Sequence, residues 1–382
     1  PDNLFNKITI ASPNAASLGK YGDFPVGYHT GLPQIKLPIY TVTEGNISFS
    51  ISLSYHSGGL KVMETASSVG AGWSLNTGGV ITRSVIGAPD DRGFTLTNNV
   101  THGHFTDYGY NNYLFIDADP PSSGCNSEPQ GGTKQADDVK FQQGKKDGEP
   151  DLFFFNFGNY SGKFYFNDDR TPVIVPEEDF KIEPILISPH VYIKGFIITT
   201  PDGTKYYFGK NQISDGNIDA YEVTSPYTVD NGLNNGNAIS AWYLNRIVSA
   251  DTLSKINLIY QPENYSYYTT SMFPVEDRSV KEFKLVKNYM EGVRLKEVNF
   301  SNGAVKLGYG SLRTDLGEFD TKTIVDNVND EVKSLDTIKI TDNSSFCKNF
   351  LLYHSYFIDS TGTVPYDLSG GLTINTDAKR LR

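Results

Sequence analysis

The sequence predicts an all-β protein of antiparallel hairpins and meanders that join into extended curved sheets. Three observations carry this. Apolar residues alternate with a period of two in many short runs, turn-forming residues recur between those runs, and no stretch keeps a capped 3.6-residue apolar stripe. The composition agrees: of 382 residues, 24 are Tyr and 23 Phe but only 3 Met, and aromatic side chains favour pleated surfaces over helices. Residues 280–289 are the best candidate for a local helical exception.

The elements follow in order. Ile8-Thr9-Ile10 is a short strand signal in an otherwise polar N-terminal arm. Ile35, Leu37 and Ile39, then Ile47, Phe49, Ile51 and Leu53, form two alternating runs joined by Gly45-Asn46, a hairpin signature. Glycines then crowd around Trp73 and Leu75, where backbone must approach a large side chain closely. Residues 103–146 are polar and turn-rich and read as a long irregular insertion. Leu152 to Phe157 and Lys163 to Phe166 make an aromatic hairpin, and a second runs from Gly195 to Gly209 around Pro201-Asp202-Gly203. Between them Pro172, Pro176, Pro184 and Pro189 place short strands at sheet edges. Residues 214–236 read as another polar loop. Trp73 and Trp242 are both expected to be largely buried.

The C-terminal half carries a loose internal repeat. Leu244 to Ile247 is followed by Ile256, Leu258 and Tyr260; Leu295 to Phe300 by Val305, Leu307 and Tyr309; Leu335 to Ile340 by Phe350, Leu352 and Tyr353. Each unit is a strand opening Leu-x-x-(Ile/Val), a turn, and a return strand ending in Tyr. A single unit cannot bury its own apolar face, so neighbours must stack. Lys379-Arg380-Leu381-Arg382 reads as the start of another such strand, and with Pro1 in place of a methionine this suggests a piece of a longer, processed polypeptide. The chain divides into residues 1–95 (arm and first β module), 96–150 (insertion), 151–240 (aromatic hairpins) and 241–382 (degenerate repeats).

One combination is specific enough to suggest a relationship: Leu53-Ser54-Tyr55-His56-Ser57-Gly58, Gly70-Ala71-Gly72-Trp73-Ser74-Leu75, Ile81-Thr82-Arg83 and Gly87-Ala88-Pro89-Asp90-Asp91. It resembles the N-terminal region of Bacteroidota RHS/YD-repeat proteins and, more distantly, the opening module of toxin-complex and SpvB-type proteins. The resemblance implies structural roles for Tyr55, Gly58, Gly70, Gly72, Trp73, Leu75 and Arg83, the beginning of an RHS/YD-type β-shell, and secretion or surface display, plausibly by type IX secretion. The C-terminal repeat is similar to YD repeats without the Tyr-Asp pair in register.

Chemistry is sparse. His102 and His104 would share one face of a strand with Asp107 nearby, a chelating spacing with no third ligand. Acidic turns at Asp117 and Asp119, Asp168-Asp169 and residues 326–331 lack the order of a calcium loop. Gly70-Ala71-Gly72 has Leu75 where a dinucleotide loop needs its third glycine, Ser17-Leu18-Gly19-Lys20 matches S-x-x-K without companion motifs, and Glu177, Glu178 and Asp179 give no acid pair at a testable separation. No catalytic, metal-binding or cofactor-binding residues are assigned, and no cofactor is expected. Cys125 and Cys347 are the only thiols; secretion would permit a bridge, but one lies in a turn-rich loop and the other beside a strand, and the pairing stays open.

The net charge of −11 argues against a nucleic-acid partner, and no apolar run reaches the ~18 residues of a transmembrane helix. The expected partners are the rest of a longer chain and the secretion or surface-anchoring machinery. The functional expectation is a non-catalytic structural part of a secreted or cell-surface shell that encloses a C-terminal effector. Alternatives are an adhesin-like module for carbohydrate or protein, and a glycoside hydrolase or transferase.

Overall fold

The computed structural model describes residues 34–382 except 57, 59–64, 87–88, 92–93, 97–98, 102–148, 168, 188–191, 214, 229–232, 235–237, 275–280, 314, 317–331, 344–346 and 360–377. Among the described residues there is no helix, and every strand ladder is antiparallel.

Strands β1 (Gln34–Glu44), β2 (Ile47–His56) and β3 (Trp73–Thr77) form a three-stranded sheet in that order. Gly45, at φ +57°, makes the β1–β2 turn in the left-handed region that glycine enters without strain. The predicted alternation of β2 is real: Ile47, Phe49, Ile51 and Leu53 are buried while Ser48 and Ser50 face out. The chain then joins a 15-stranded sheet through β4 (Gly79–Ser84). A small hairpin of β5 (Phe94–Leu96) and β6 (Asn99–Thr101) precedes β7 (Leu152–Phe157), β8 (Tyr160–Phe166) and β9 (Pro172–Val175), which extend from β4 in sequence order.

Next come β10 (Lys181–Ile187), β11 (Tyr192–Thr199), β12 (Lys205–Gly209), β13 (Tyr221–Thr228), the short β14 (Leu233–Asn234) and β15 (Ala238–Val248). β15 is the junction. Its first half pairs with β4 on one side and β13 on the other; its second half pairs with β12 and with β16 (Lys255–Pro274). The sheet therefore forks along β15 into a β4–β7–β8–β9 leaf and a β12–β11–β10 leaf. Aromatic rings fill the space between the leaves, with Phe164 5.6 Å and Phe153 5.7 Å from Phe196, and Phe157 5.5 Å from Phe208. Edge-on and tilted pairs at these separations add to the burial itself. Among the described residues the proline-bearing strands β9 and β10 each have one partner, as the prolines predicted.

Beyond the fork the sheet continues through β17 (Lys281–Phe300), β18 (Gly303–Leu312), β19 (Lys333–Asp342) and β20 (Cys347–Leu351), and a separate pair joins β21 (Tyr356–Asp359) to β22 (Ala378–Leu381). The internal repeat is three hairpins here, β15–β16, β17–β18 and β19–β20. A detail invisible in sequence unites them. Phe208 faces Leu244, Tyr260 faces Leu295 and Tyr309 faces Leu335, and in each case the register slips just beyond, skipping Asn245, Lys296 and Asp336. One bulged residue after each leucine bends the strand there. Within each hairpin the leucine carbonyl accepts a side-chain hydrogen bond from the end of the return strand: Tyr260 Oη to Leu244 O at 2.7 Å and Tyr309 Oη to Leu295 O at 3.0 Å. His354 Nε2 lies 2.8 Å from Leu335 O and takes that place in the third.

Tyr353, the expected tyrosine of the third unit, is instead 87% exposed, because strand alternation turns its neighbour His354 to the leucine carbonyl. Removing one hydroxyl from this series is expected to cost about 1–2 kcal/mol for Tyr260→Phe and less for the more exposed Tyr309→Phe, read as shifts in urea midpoint at constant m-value. Two further expectations are corrected. Residues 281–300 are strand, so 280–289 is no helical exception. Residues 221–228 of the supposed polar loop are β13, held between β15 and β17; the Tyr221-x-Val223 alternation was masked by the Asn-Gly turns after it. As expected, Trp242 is fully buried and Trp73 is largely covered, packed at the margin of the core.

Candidate functional site

The residues of the glycine-rich module converge on one corner. Tyr55 and Trp73 are opposite each other across β2–β3, with ring centroids 5.1 Å apart, and Leu75 faces Leu53 two residues on. Gly72 has φ +75°, and a Cβ there would meet Tyr55 Cε2 at 2.8 Å, so this glycine lets the tyrosine ring lie against the turn. Gly70, at φ +115°, meets another segment: a Cβ would be 3.1 Å from the Arg382 backbone. The loop is a clasp for β22. Ala71 N donates to Leu381 O at 2.7 Å, Leu335 N donates to Ser68 O at 2.9 Å, and Arg313 Nη2 donates to Ala66 O at 2.8 Å. Arg313 is paired with Asp315, which also accepts from Leu381 N. Gly58 takes no part; it is exposed on a bend beside the His56 ring.

Arg83 lies apart from that corner, on β4. Its guanidinium is fully buried, 5.2 Å from the Phe153 ring centre and 5.1 Å from that of Trp242. It donates to Asp91 Oδ1 at 2.8 Å, and its Nε is 3.5 Å from Asp151 Oδ2. Burial alone would drive off its proton, but Asp91, then Asp151 and Asp90, outweigh that and hold the pKa above the usual arginine value. The carboxylates also organise backbone. Asp91 Oδ2 accepts from Ile193 N, Asp151 accepts from Ile86 N and Asp90 N, and Asp90 Oδ2 accepts from Asp151 N. Arg83 and Asp90 belong to the motif residues read from sequence. Asp151, 60 positions after Asp91, carried no signal, since only the fold brings it back.

A third polar region occupies the face of β13, β15, β16 and β17. Glu222 accepts from Ser240 Oγ at 3.0 Å and Tyr243 Oη at 3.2 Å, and burial, opposed by those two donors, raises its pKa. Glu263 faces Gly292 across β16–β17 and pairs with Arg294 at 3.1 Å; burial raises it too, against the pull of Arg294. Glu222 reaches over the same glycine from the other side, its Cγ 3.6 Å from where a Cβ would stand. Tyr243 and Tyr265 lie near Glu222, and Tyr265 and Tyr309 near Glu263, and burial raises the pKa of each tyrosine, so they stay protonated. Sequence reading singled out neither acid.

The other sequence candidates stay apart. Glu177, Glu178 and Asp179 are exposed side by side on a loop, and Asp169 is used by the Thr171 amide of its own turn. His102, His104, Asp107, Asp117, Asp119, residues 326–331, Ser17 to Lys20 and Cys125 lie outside the described residues, as does the Cys347 side chain. Among the described residues no group of His, Cys, Asp or Glu is arranged to hold a metal ion, and no helix is long and apolar enough to cross a membrane. No family model, curated protein or solved structure matches the chain.

Proposed function

We propose that this chain is a non-catalytic structural part of a larger secreted or cell-surface protein of the RHS/YD-repeat type, forming part of the wall of a β-sheet shell. The observation that carries the reading is the recurrence of one docking geometry in successive hairpins: aromatic residue opposite leucine, bulge after the leucine, and leucine carbonyl held by the return strand. A wall assembled this way bends in the same sense at each step. Its open end is the β20 edge, paired with β19 alone among the described residues, with Leu351 at the strand's end and Tyr353 just past it exposed.

An uncovered edge of this kind recruits another strand. The chain alone is therefore expected to self-associate at micromolar concentration in sedimentation velocity. Leu351→Lys combined with Tyr353→Lys should return it towards monomer, and the protein isolated from its producer should show β20 covered. A wild-type chain that stays monomeric, together with an uncovered β20 in the native protein, would sink the shell reading.

A second reading, a carbohydrate-binding module, is favoured by the two glutamates flanking Gly292, with the Tyr243 hydroxyl on Glu222 and Tyr265 near both acids. Hydroxyl-rich ligands suit such donors and acceptors. Glycan-array binding abolished by Glu222→Gln and by Tyr265→Phe would favour it.

A further inference from the structure

Asp90 and Asp91, which follow β4, and Asp151, which leads into β7, are far apart in sequence and tied to each other. Asp90 N donates to Asp151 Oδ2 at 3.0 Å, and Asp151 N donates to Asp90 Oδ2 at 3.0 Å, a reciprocal pair closed by the Ile86 amide on Asp151 Oδ1. Three buried carboxyl groups thus share one buried cation. The hydrogen bonds say which can be anionic. Asp91 uses both oxygens as acceptors, from Arg83 and Ile193 N; Asp151 also uses both, from two backbone amides. Among the described residues Asp90 uses only Oδ2, while its Oδ1 is buried without a partner. A buried carboxylate oxygen with no donor is costly, whereas a carboxylic acid hydroxyl in the same place carries no charge.

We propose that Asp90 is held as the neutral acid and that the Asp90–Asp151 pair is a proton-dependent latch between the segment after β4 and the segment that enters β7. Its surroundings fix the direction of the response. Among the described residues Arg83 on β4 supplies the only cation in contact, Asp91 and Asp151 supply the anions, β11 offers the Ile193 amide with Lys194 turned to Tyr221, and β15 offers the Trp242 ring. Glu149, two residues before Asp151, is exposed. Burial, then the Asp151 charge, pushes Asp90 up to about 8 from the usual aspartate value. The unfolded chain gives up this proton near pH 4 while the folded chain keeps it to about pH 8. Between those limits the folded state binds one more proton, so stability falls as pH rises through the window and levels off above it.

The test is the urea midpoint of the full chain from pH 4 to pH 9, compared with Asp90→Asn and Asp151→Asn. Glu222, Glu263 and Asp151 itself, which burial pushes up to about 6, also slope the wild-type curve in the same direction, so wild type and Asp90→Asn are compared above pH 6, where the Asp90 proton sets the difference. Asp90→Asn, which mimics the neutral acid, should flatten the curve, removing a wild-type loss in folding equilibrium constant of up to about tenfold per pH unit. Asp151→Asn should be destabilised at every pH, because a carboxamide nitrogen cannot accept the second backbone N–H. Equal slopes for wild type and Asp90→Asn would overturn the latch, and so would a tolerated Asp151→Asn beside a disrupted Asp90→Asn, which would put the proton on Asp151.

Discussion

Replacing Arg83 with methionine is expected to lower the stability of the chain by about 3–5 kcal/mol, read as the extrapolated free energy of urea unfolding. The side chains are similar in length, so packing against Phe153 and Trp242 is largely kept. What is lost is the cation facing Asp91 and Asp151, both buried. Without it the two carboxylates must take up protons or draw in water, and either choice breaks a backbone amide contact at Ile86, Asp90 or Ile193. The loss should shrink at low pH, where protons neutralise the acids, and an Arg83→Met chain as stable as wild type at pH 7 would show that the guanidinium is not what balances them. Arg83→Lys should recover little, since an ammonium cannot present the planar face that lies between the two rings.

Trp242→Ala is the second large effect, also about 3–5 kcal/mol. The indole is fully buried at the fork of the sheet, 5.0 Å from Phe196 and 5.8 Å from Phe153 by ring centres, and its Nε1 donates to Ile193 O at 3.2 Å. Truncation leaves a cavity where the two leaves diverge and exposes one face of Arg83. The two changes share neighbours, so the double mutant Arg83→Met/Trp242→Ala should lose less than the sum of the singles. Strict additivity in a double-mutant cycle would mean that the ring and the guanidinium do not sense each other.

How far these features were legible follows from the distance over which each is encoded. Period-two alternation at Ile47 to Leu53, the Gly45-Asn46 turn and the Leu-x-x-Ile hairpins depend on neighbours a few residues away, and the structure realises them as written. The glycines around Trp73 announce close approach without saying to what: they admit the Tyr55 ring and the backbone at Arg382. The candidate sites are harder. Asp91 pairs with Arg83 eight residues away, but Asp151, and the Glu222–Gly292–Glu263 row across three strands, come together only through strand order. His354 in place of a tyrosine shows the same limit. A hydrogen bond to the Leu335 carbonyl is a requirement on geometry, which two different side chains satisfy.

The slipped register after Leu244, Leu295 and Leu335 has a consequence for how such a chain tolerates change in length. Since every hairpin presents to the next the same surface that it received from the one before, the unit of permissible insertion or deletion is an entire hairpin. A single added residue would turn an apolar row outward, whereas excision of β17–β18 as a block would bring Tyr260 opposite Leu335 in the position that Leu295 now fills. The polypeptide is built in interchangeable courses, and lineages of such proteins are expected to differ in length by multiples of one course.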